Sequence, residues 1–90
     1  MTRVWQILFL PRARRRFDKL ARRNRIRILA FLNERVATAE NPRRIGEPLK
    51  GSLEGLWRYR VADFRIVVRI EDDRVMVLVV DVGNRREIYR

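Results

Sequence analysis

Apolar and polar residues along this chain follow two different periods, and the switch between them sets the expected architecture. Residues 3–10, RVWQILFL, are β-branched and aromatic-rich and read as a buried strand closed by Pro11. Proline suits the first turn of a helix, where its missing N–H removes nothing from the ladder. Ala13, Phe17, Leu20 and Ala21 then recur at the spacing of one helical face, and Arg12, Arg14, Arg15, Arg16 and Lys19 cover the rest. Asn24 is the expected break and N-cap of a second helix. Its apolar stripe is Ile28, Phe31, Leu32 and Val36, with Leu29 beside it, and Arg25 and Arg35 fall near that stripe. The helix should end before Asn41-Pro42, because a residue preceding proline is pushed out of the α region. Two antiparallel helices joined by a short turn are the simplest reading of residues 11–40.

Residues 42–55, PRRIGEPLKGSLEG, hold two prolines and three glycines and read as a loop. After them the period changes to two. Trp57, Tyr59 and Val61 alternate with Arg58, Arg60 and Ala62, and Phe64, Ile66, Val68 and Ile70 alternate with Arg65, Val67 and Arg69. Residues 75–82, VMVLVVDV, are apolar on both faces, as in a central strand. Ala62-Asp63 and Asp72-Asp73 are the expected tight turns, although neither is the favoured Asn-Gly type. The expected fold is α+β and a single domain over residues 1–90: a small antiparallel-rich sheet with an N-terminal helical hairpin packed on one face, in the order β-α-α-β-β-β. If Trp57, Tyr59, Phe64, Ile66 and Val68 face the helices, then Arg58, Arg60, Arg65 and Arg69 project from the opposite face. Like charges side by side weaken a sheet unless a partner compensates them, and a polyanion is the obvious partner.

Composition sharpens that picture. With 47% apolar residues the chain is too hydrophobic for a disordered tail. No apolar run approaches the roughly 20 residues of a membrane helix. No small-residue cleavage site follows an apolar core near the N-terminus, so a secretory signal is not expected and the cytoplasm is the expected compartment. There is no cysteine and no histidine, which removes thiol nucleophiles, the usual general base and every metal ligand except carboxylates. Lys and Arg number 22 against 11 Asp and Glu, a net charge of +11. That is the electrostatic footprint of a nucleic-acid binder, or of a protein held by an acidic partner. All the basic residues but Lys19 and Lys50 are arginine, and residues 1–35 carry most of the excess. That asymmetry points to one strongly positive face.

The carboxylates do not read as catalytic. Glu71, Asp72 and Asp73 fit turn chemistry, and Asp81 fits the role of structural partner to a neighbouring arginine. No glycine-rich phosphate loop precedes a helix, and no carboxylate group has metal-site spacing. Arginine and tyrosine remain. RNA supplies its own nucleophile, the 2′-OH, so an enzyme can cut it by aligning that oxygen, stabilising charge on the phosphorane and helping protons move. The arginine fork matches phosphate, and a tyrosine can move a proton or stack on a base.

The C-terminal half carries a family resemblance. Leu49-Lys50-Gly51, Gly55-Leu56-Trp57-Arg58-Tyr59-Arg60, Phe64-Arg65-Ile66 and Val82-Gly83-Asn84-Arg85-Arg86-Glu87-Ile88-Tyr89 together resemble the RelE toxins of toxin–antitoxin modules. The preceding strand and helical hairpin match that family's order as well. The resemblance implies an endoribonuclease without a cofactor that cuts mRNA in the ribosomal A site and is silenced by a RelB-like antitoxin, whose acidic segment covers the arginine face. It implies Arg65, Arg85 and Tyr89 as catalytic residues: Arg65 on the scissile phosphate, Arg85 on the transition state or leaving group, Tyr89 stacking on or orienting the substrate. Arg58, Arg60, Arg69 and Arg86 are the implied RNA contacts. Arg58 and Arg60 stand where well-studied relatives have lysine, and Asn84 where several have histidine or lysine. Arginine keeps its proton. Proton abstraction is thus left to Tyr89, water or a ribosomal group. The rival readings are a ParE-like inhibitor of DNA gyrase acting by protein binding, a RelE relative without cleavage chemistry, and a plain basic nucleic-acid-binding module.

Overall fold

A computed structural model describes residues 4–84. The period-two segments form one five-stranded sheet. Its strands are β1 (Gln6–Phe9), β2 (Glu47–Pro48), β3 (Trp57–Val61), β4 (Phe64–Glu71) and β5 (Met76–Asn84), in spatial order β1-β5-β4-β3-β2. Only the β1–β5 pair is parallel; β5–β4, β4–β3 and β3–β2 are antiparallel. The near-continuous apolar run of β5 is explained by its place between β1 and β4, with helices over one face. The expected fold class holds.

Two local expectations change. The strand at residues 3–10 is shorter and lies at the sheet edge, where exposure alternates and Leu8 is 45% exposed. Apolar composition had suggested burial on both sides, but a strand that pairs on one side only needs one apolar face. The second change is β2, a two-residue strand inside the segment read as loop. It is too short to carry any periodic signal, and only the completed edge of β3 gives it a partner.

The helices are α1 (Pro11–Asp18) and α2 (Arg22–Phe31). Pro11 occupies the first turn of α1 as expected. Ala13 and Phe17 are buried and Leu20 packs against the core, but Ala21 is exposed and caps α2. Asn24 therefore lies within α2 rather than at its start. A cation closes the α1–α2 connection instead: the Arg25 Nη1 donates to the carbonyl of Leu20, in the connection, at 2.6 Å and to that of Asp18, the last residue of α1, at 3.4 Å. This explains why an arginine sits near the apolar stripe, since positive charge is favoured at a helix C-terminus. Arg35 has a comparable reason, with its guanidinium carbon 5.5 Å from the centre of the Phe31 ring.

After Phe31 the helix widens into a π turn, Leu32–Val36, in which Ala37 N donates to Leu32 O at 2.8 Å. Leu32 and Val36 are fully buried and Ala37 nearly so. The Ala37 carbonyl then accepts from Trp5 N, and the Trp5 indole donates to Ala39 O, which pins the helix end to the start of β1. The core lies between the helices and one sheet face, centred on Phe17, Ile28, Leu32, Val36, Tyr59, Ile66, Val68, Val77, Val79 and Val82.

Asp81 ties α1 to β5. Its carboxylate accepts from Arg16 Nη1 at 3.0 and 3.2 Å and from Val82 N at 2.9 Å, with Arg12 Nη2 3.8 Å away. The structural role read from sequence is the one observed. Asp81→Asn should cost about 1 kcal/mol, the worth of a partly exposed charge-assisted pair. Urea denaturation should show that difference shrinking as salt is added.

The β3–β4 turn is the tight Ala62-Asp63 hairpin expected, and Ala62 takes a positive φ of 53°. Two-residue hairpins demand positive φ at the first loop position, which a side chain opposes by roughly 1–2 kcal/mol. Glycine would remove that strain and give back part through a freer unfolded chain. Ala62→Gly should therefore stabilise the fold by about 0.5 kcal/mol, read as a rise in Tm. The β4–β5 turn is longer than the expected pair, with Asp72 O accepting from Val75 N at 3.1 Å.

Candidate functional site

The sheet face turned away from the helices carries the arginines. In register, Arg60 of β3 lies opposite Arg65 of β4, and Arg65 lies opposite Gly83 of β5. Arg58 lies opposite Val67, and Arg69 opposite Leu78. Alternation therefore places Arg58, Arg60, Arg65 and Arg69 on one face, as the sequence implied. Their environments differ sharply. Arg60 and Arg69 are exposed and Arg58 is half-buried, but Arg65 is only 3% exposed. Arg65 projects from the expected face but is enclosed there rather than open to solvent. It lies in the stretch of β4 paired on both sides, opposite Arg60 and Gly83, whereas Arg60 lies on β3 and Arg69 lies beyond the β3 pairing, which ends at Val68.

The buried guanidinium of Arg65 has no compensation. Its Nε is inaccessible to solvent and has no hydrogen-bond partner, and no carboxylate among the described residues forms an ion pair with it. A guanidinium keeps its charge inside proteins. An isolated buried charge costs several kcal/mol, and an anion arriving at that point would recover much of it. Val67, next on the same face, is buried as well, while Gly83 beside Arg65 adds no side chain to block an approach.

Arg58 is held differently. Glu47 of β2 lies opposite it in register, and the Glu47 carboxylate accepts from Arg58 Nη2. Glu47, Arg58 and Arg60 line a small cleft of about 60 Å³ with Ile45 and Gly46. Sequence reading gave Glu47 no role, because it lay in a segment taken as loop. Gly46 brings β2 that close: a Cβ there would meet Arg58 O at 2.8 Å and the Tyr59 ring at 2.9 Å. Tyr59, directly beneath, is fully buried, donates to Pro42 O at 2.9 Å and meets the Phe31 ring edge-on at 5.7 Å between centroids. Burial pushes its phenol above the ordinary tyrosine range, opposed in part by the Arg43 guanidinium.

Arg85, Arg86 and Tyr89 lie outside the described residues. They follow Asn84, which stands opposite Phe64, one residue before Arg65. The helical arginines divide into two groups. Arg14 pairs with Asp18 at 3.0 Å, Arg12 and Arg16 with Asp81, and Arg25 caps α1. Arg15, Arg22, Arg23 and Arg27 are exposed. None of this second group forms an ion pair among the described residues. Among the described residues no three carboxylates gather as a metal-binding group, and no helix is long and apolar enough to cross a membrane.

Comparison with known proteins gives this arrangement a context. The family described as "ParE toxin of type II toxin-antitoxin system, parDE" matches residues 7–89. Toxin RelG of Mycobacterium tuberculosis (strain ATCC 25618 / H37Rv) is 30% identical over 86 residues, 96% of this chain and 97% of that protein. Toxin RelE of the same organism is 40% identical over 50 residues, 56% of this chain and about half, 52%, of that protein. A chain of the toxin–antitoxin complex RelBE2 from M. tuberculosis superposes with a TM-score of 0.84 at 27% identity, covering 94% of this chain and 95% of the other. The isolated E. coli RelE toxin superposes with a TM-score of 0.72 at 27% identity, covering 94% and 90%. By sequence and by fold, this chain belongs to the ParE toxin family of type II toxin–antitoxin systems.

Proposed function

We propose that this toxin is a RelE-type ribonuclease that cuts mRNA in the ribosomal A site, in the cytoplasm, and is silenced by a cognate antitoxin. The observation that carries this reading is Arg65: a buried guanidinium with an unpartnered Nε and no ion pair among the described residues, on an arginine-lined sheet face. A purely structural arginine at this position would have an acidic partner. The named relatives RelE and RelG, and the RelBE complexes among the structural neighbours, support the reading and the hetero-oligomer with an antitoxin.

The chemistry starts from the substrate's own 2′-OH. It attacks the adjacent phosphorus, the 2′-O–P bond forms, and the P–O5′ bond breaks to leave a cyclic 2′,3′-phosphate and a 5′-hydroxyl. Charge builds on the non-bridging oxygens as the phosphorane forms. Arg65 meets that charge in a site where water does not screen it, so its donors contribute more there than at the surface. Arg60 and Arg69 contact flanking phosphates. Arg58, oriented by Glu47, is fixed in place before substrate arrives. Arg85 and Arg86 serve the leaving group and the backbone, and Tyr89 stacks on or orients the base. The antitoxin places an acidic segment over this face and supplies Arg65 with the counter-charge it lacks.

Primer extension on a reporter mRNA in a bacterial translation extract tests the reading. Discrete cuts at codon positions should appear with the wild-type chain, and vanish without ribosomes or with Arg65→Ala/Arg85→Ala. Intact mRNA with unimpaired translation would reject it. A second reading, inhibition of DNA gyrase by protein binding, is favoured by the ParE description of the matching family. A supercoiling assay with the same preparation separates the two.

A further inference from the structure

On the other side of the β3–β4 turn lies a cleft of about 540 Å³ that the arginine face does not use. Arg23 and Arg27 line it from one side, a helical turn apart on α2, with Asn24 between them. Asp63 and Phe64 line it from the sheet side, and Asn84 closes the end. The volume suits a single small ligand. Two guanidiniums at i and i+4 repel one another. Neither Arg23 nor Arg27 has an ion pair among the described residues, although the Asp63 carboxylate lines the same cleft. Two cations, a carboxylate and an aromatic edge share one space without neutralising each other.

We propose that this cleft is a subsite for one nucleotide of single-stranded RNA, with Arg23 and Arg27 on its phosphate and Asp63 reading its base, guanine being the match. Guanine presents two N–H donors side by side on its Watson–Crick edge, which fit the two oxygens of one carboxylate. Adenine offers one donor beside an acceptor that Asp63 would repel. Phe64, half-buried at the cleft wall, adds apolar surface for the base to pack against. An acidic peptide is a poorer occupant, because Asp63 would face its carboxylates. Phe64 and Arg65 are neighbours whose side chains leave opposite faces of β4, so a strand turning round this sheet end reaches both sites. The polymer's identity rests on the ribonuclease reading; the pairing of phosphate donors with a base acceptor rests on the cleft alone.

The test is a 1H–15N NMR titration of the full chain with GMP, AMP and inorganic phosphate in parallel. GMP should move the amides of Asn24, Asp63 and Asn84, and bind about tenfold more tightly than AMP, the scale of one bidentate base contact. Asp63→Asn should erase that preference while AMP binding stays. Arg27→Ala should weaken both nucleotides about tenfold, the effect of losing one charge-assisted contact. All these side chains but Phe64 and Asn24 are exposed, so the variants remain folded, and the spectra report it directly. Equal affinity for GMP, AMP and phosphate would overturn base reading. Shifts confined to the surroundings of Arg58, Arg60 and Arg65 would overturn the subsite altogether. GMP binding in the cleft by a chain that cuts no RNA would uphold the subsite and reject the ribonuclease. RNA cleavage with an unresponsive cleft would do the reverse.

Discussion

Arg65→Met should leave the protein more stable and nearly inactive. Methionine keeps the length of the arginine stem and fills the same space without a charge. It removes a guanidinium that is 3% exposed and has an unpartnered Nε. Exchanging buried ionic groups for well-fitting apolar ones has stabilised proteins by about 1–4 kcal/mol, and a gain on that order is expected here. The same change removes the donors proposed to meet the phosphorane, and the loss of one such donor lowers turnover by about 10²–10³-fold. Guanidinium denaturation beside primer extension reads both effects on one preparation. Arg65→Lys separates charge from geometry: it keeps the buried charge and loses the planar fork, so activity falls with no gain in stability. Phosphate should raise the Tm of the wild type more than that of Arg65→Met, because only the former has a buried cation at that point for the anion to bind. A less stable Arg65→Met with undiminished cleavage would show that the arginine is structural.

The second large effect is expected at Tyr59. The ring fills the centre of the core against Phe31, and the phenol ties β3 to the carbonyl of Pro42. Tyr59→Ala leaves a cavity the size of a ring and an unsatisfied carbonyl, for a loss of about 3–5 kcal/mol. A domain this small has little more than that in total, so the variant should be largely unfolded. Tyr59→Phe isolates the hydrogen bond and should cost about 1–3 kcal/mol. The pH dependence follows from the direction of the phenol's shift. Its pKa is raised in the fold, so its stabilisation is complete below the unfolded value, about 10. It is lost as pH rises from there towards the folded value. Wild-type stability should therefore fall above about pH 10, and Tyr59→Phe should lack that part of the decline. Alkaline melts of the two proteins check this, and parallel curves would place the titration elsewhere.

Glu47 shows why part of the site escaped the sequence. The arginine face was legible because period two is a property of neighbouring residues: once Trp57–Val61 and Phe64–Glu71 are strands, the facing of Arg58, Arg60, Arg65 and Arg69 follows. Glu47 reaches that face only through β2, and β2 exists only because Gly46 allows the chain to press against β3. No local pattern encodes that approach. Asn24 failed for a related reason. Its cap propensity is real, but the cap of α2 falls three residues earlier, at Ala21, and Arg25 satisfies the Leu20 carbonyl in the connection. Arg85, Arg86 and Tyr89 were read from motif alone and lie outside the described residues, so their roles stand as proposals.

The sequence by itself determined the two helices, the four longer strands, their order, the arginine face and the kinship with RelE toxins, since each is written in spacings a few residues long. The tertiary structure alone decided which arginine is buried. Sequence alternation assigns a side chain to a face and says nothing of depth. Depth comes from strand order and the extent of pairing: Arg65 is paired with β3 on one side and β5 on the other and is enclosed, while Arg60 on β3 and Arg69, beyond the end of the β3 pairing, remain in water. Enclosure also raises the energy of an unpaired charge, and that separates Arg65 from its neighbours on the arginine face.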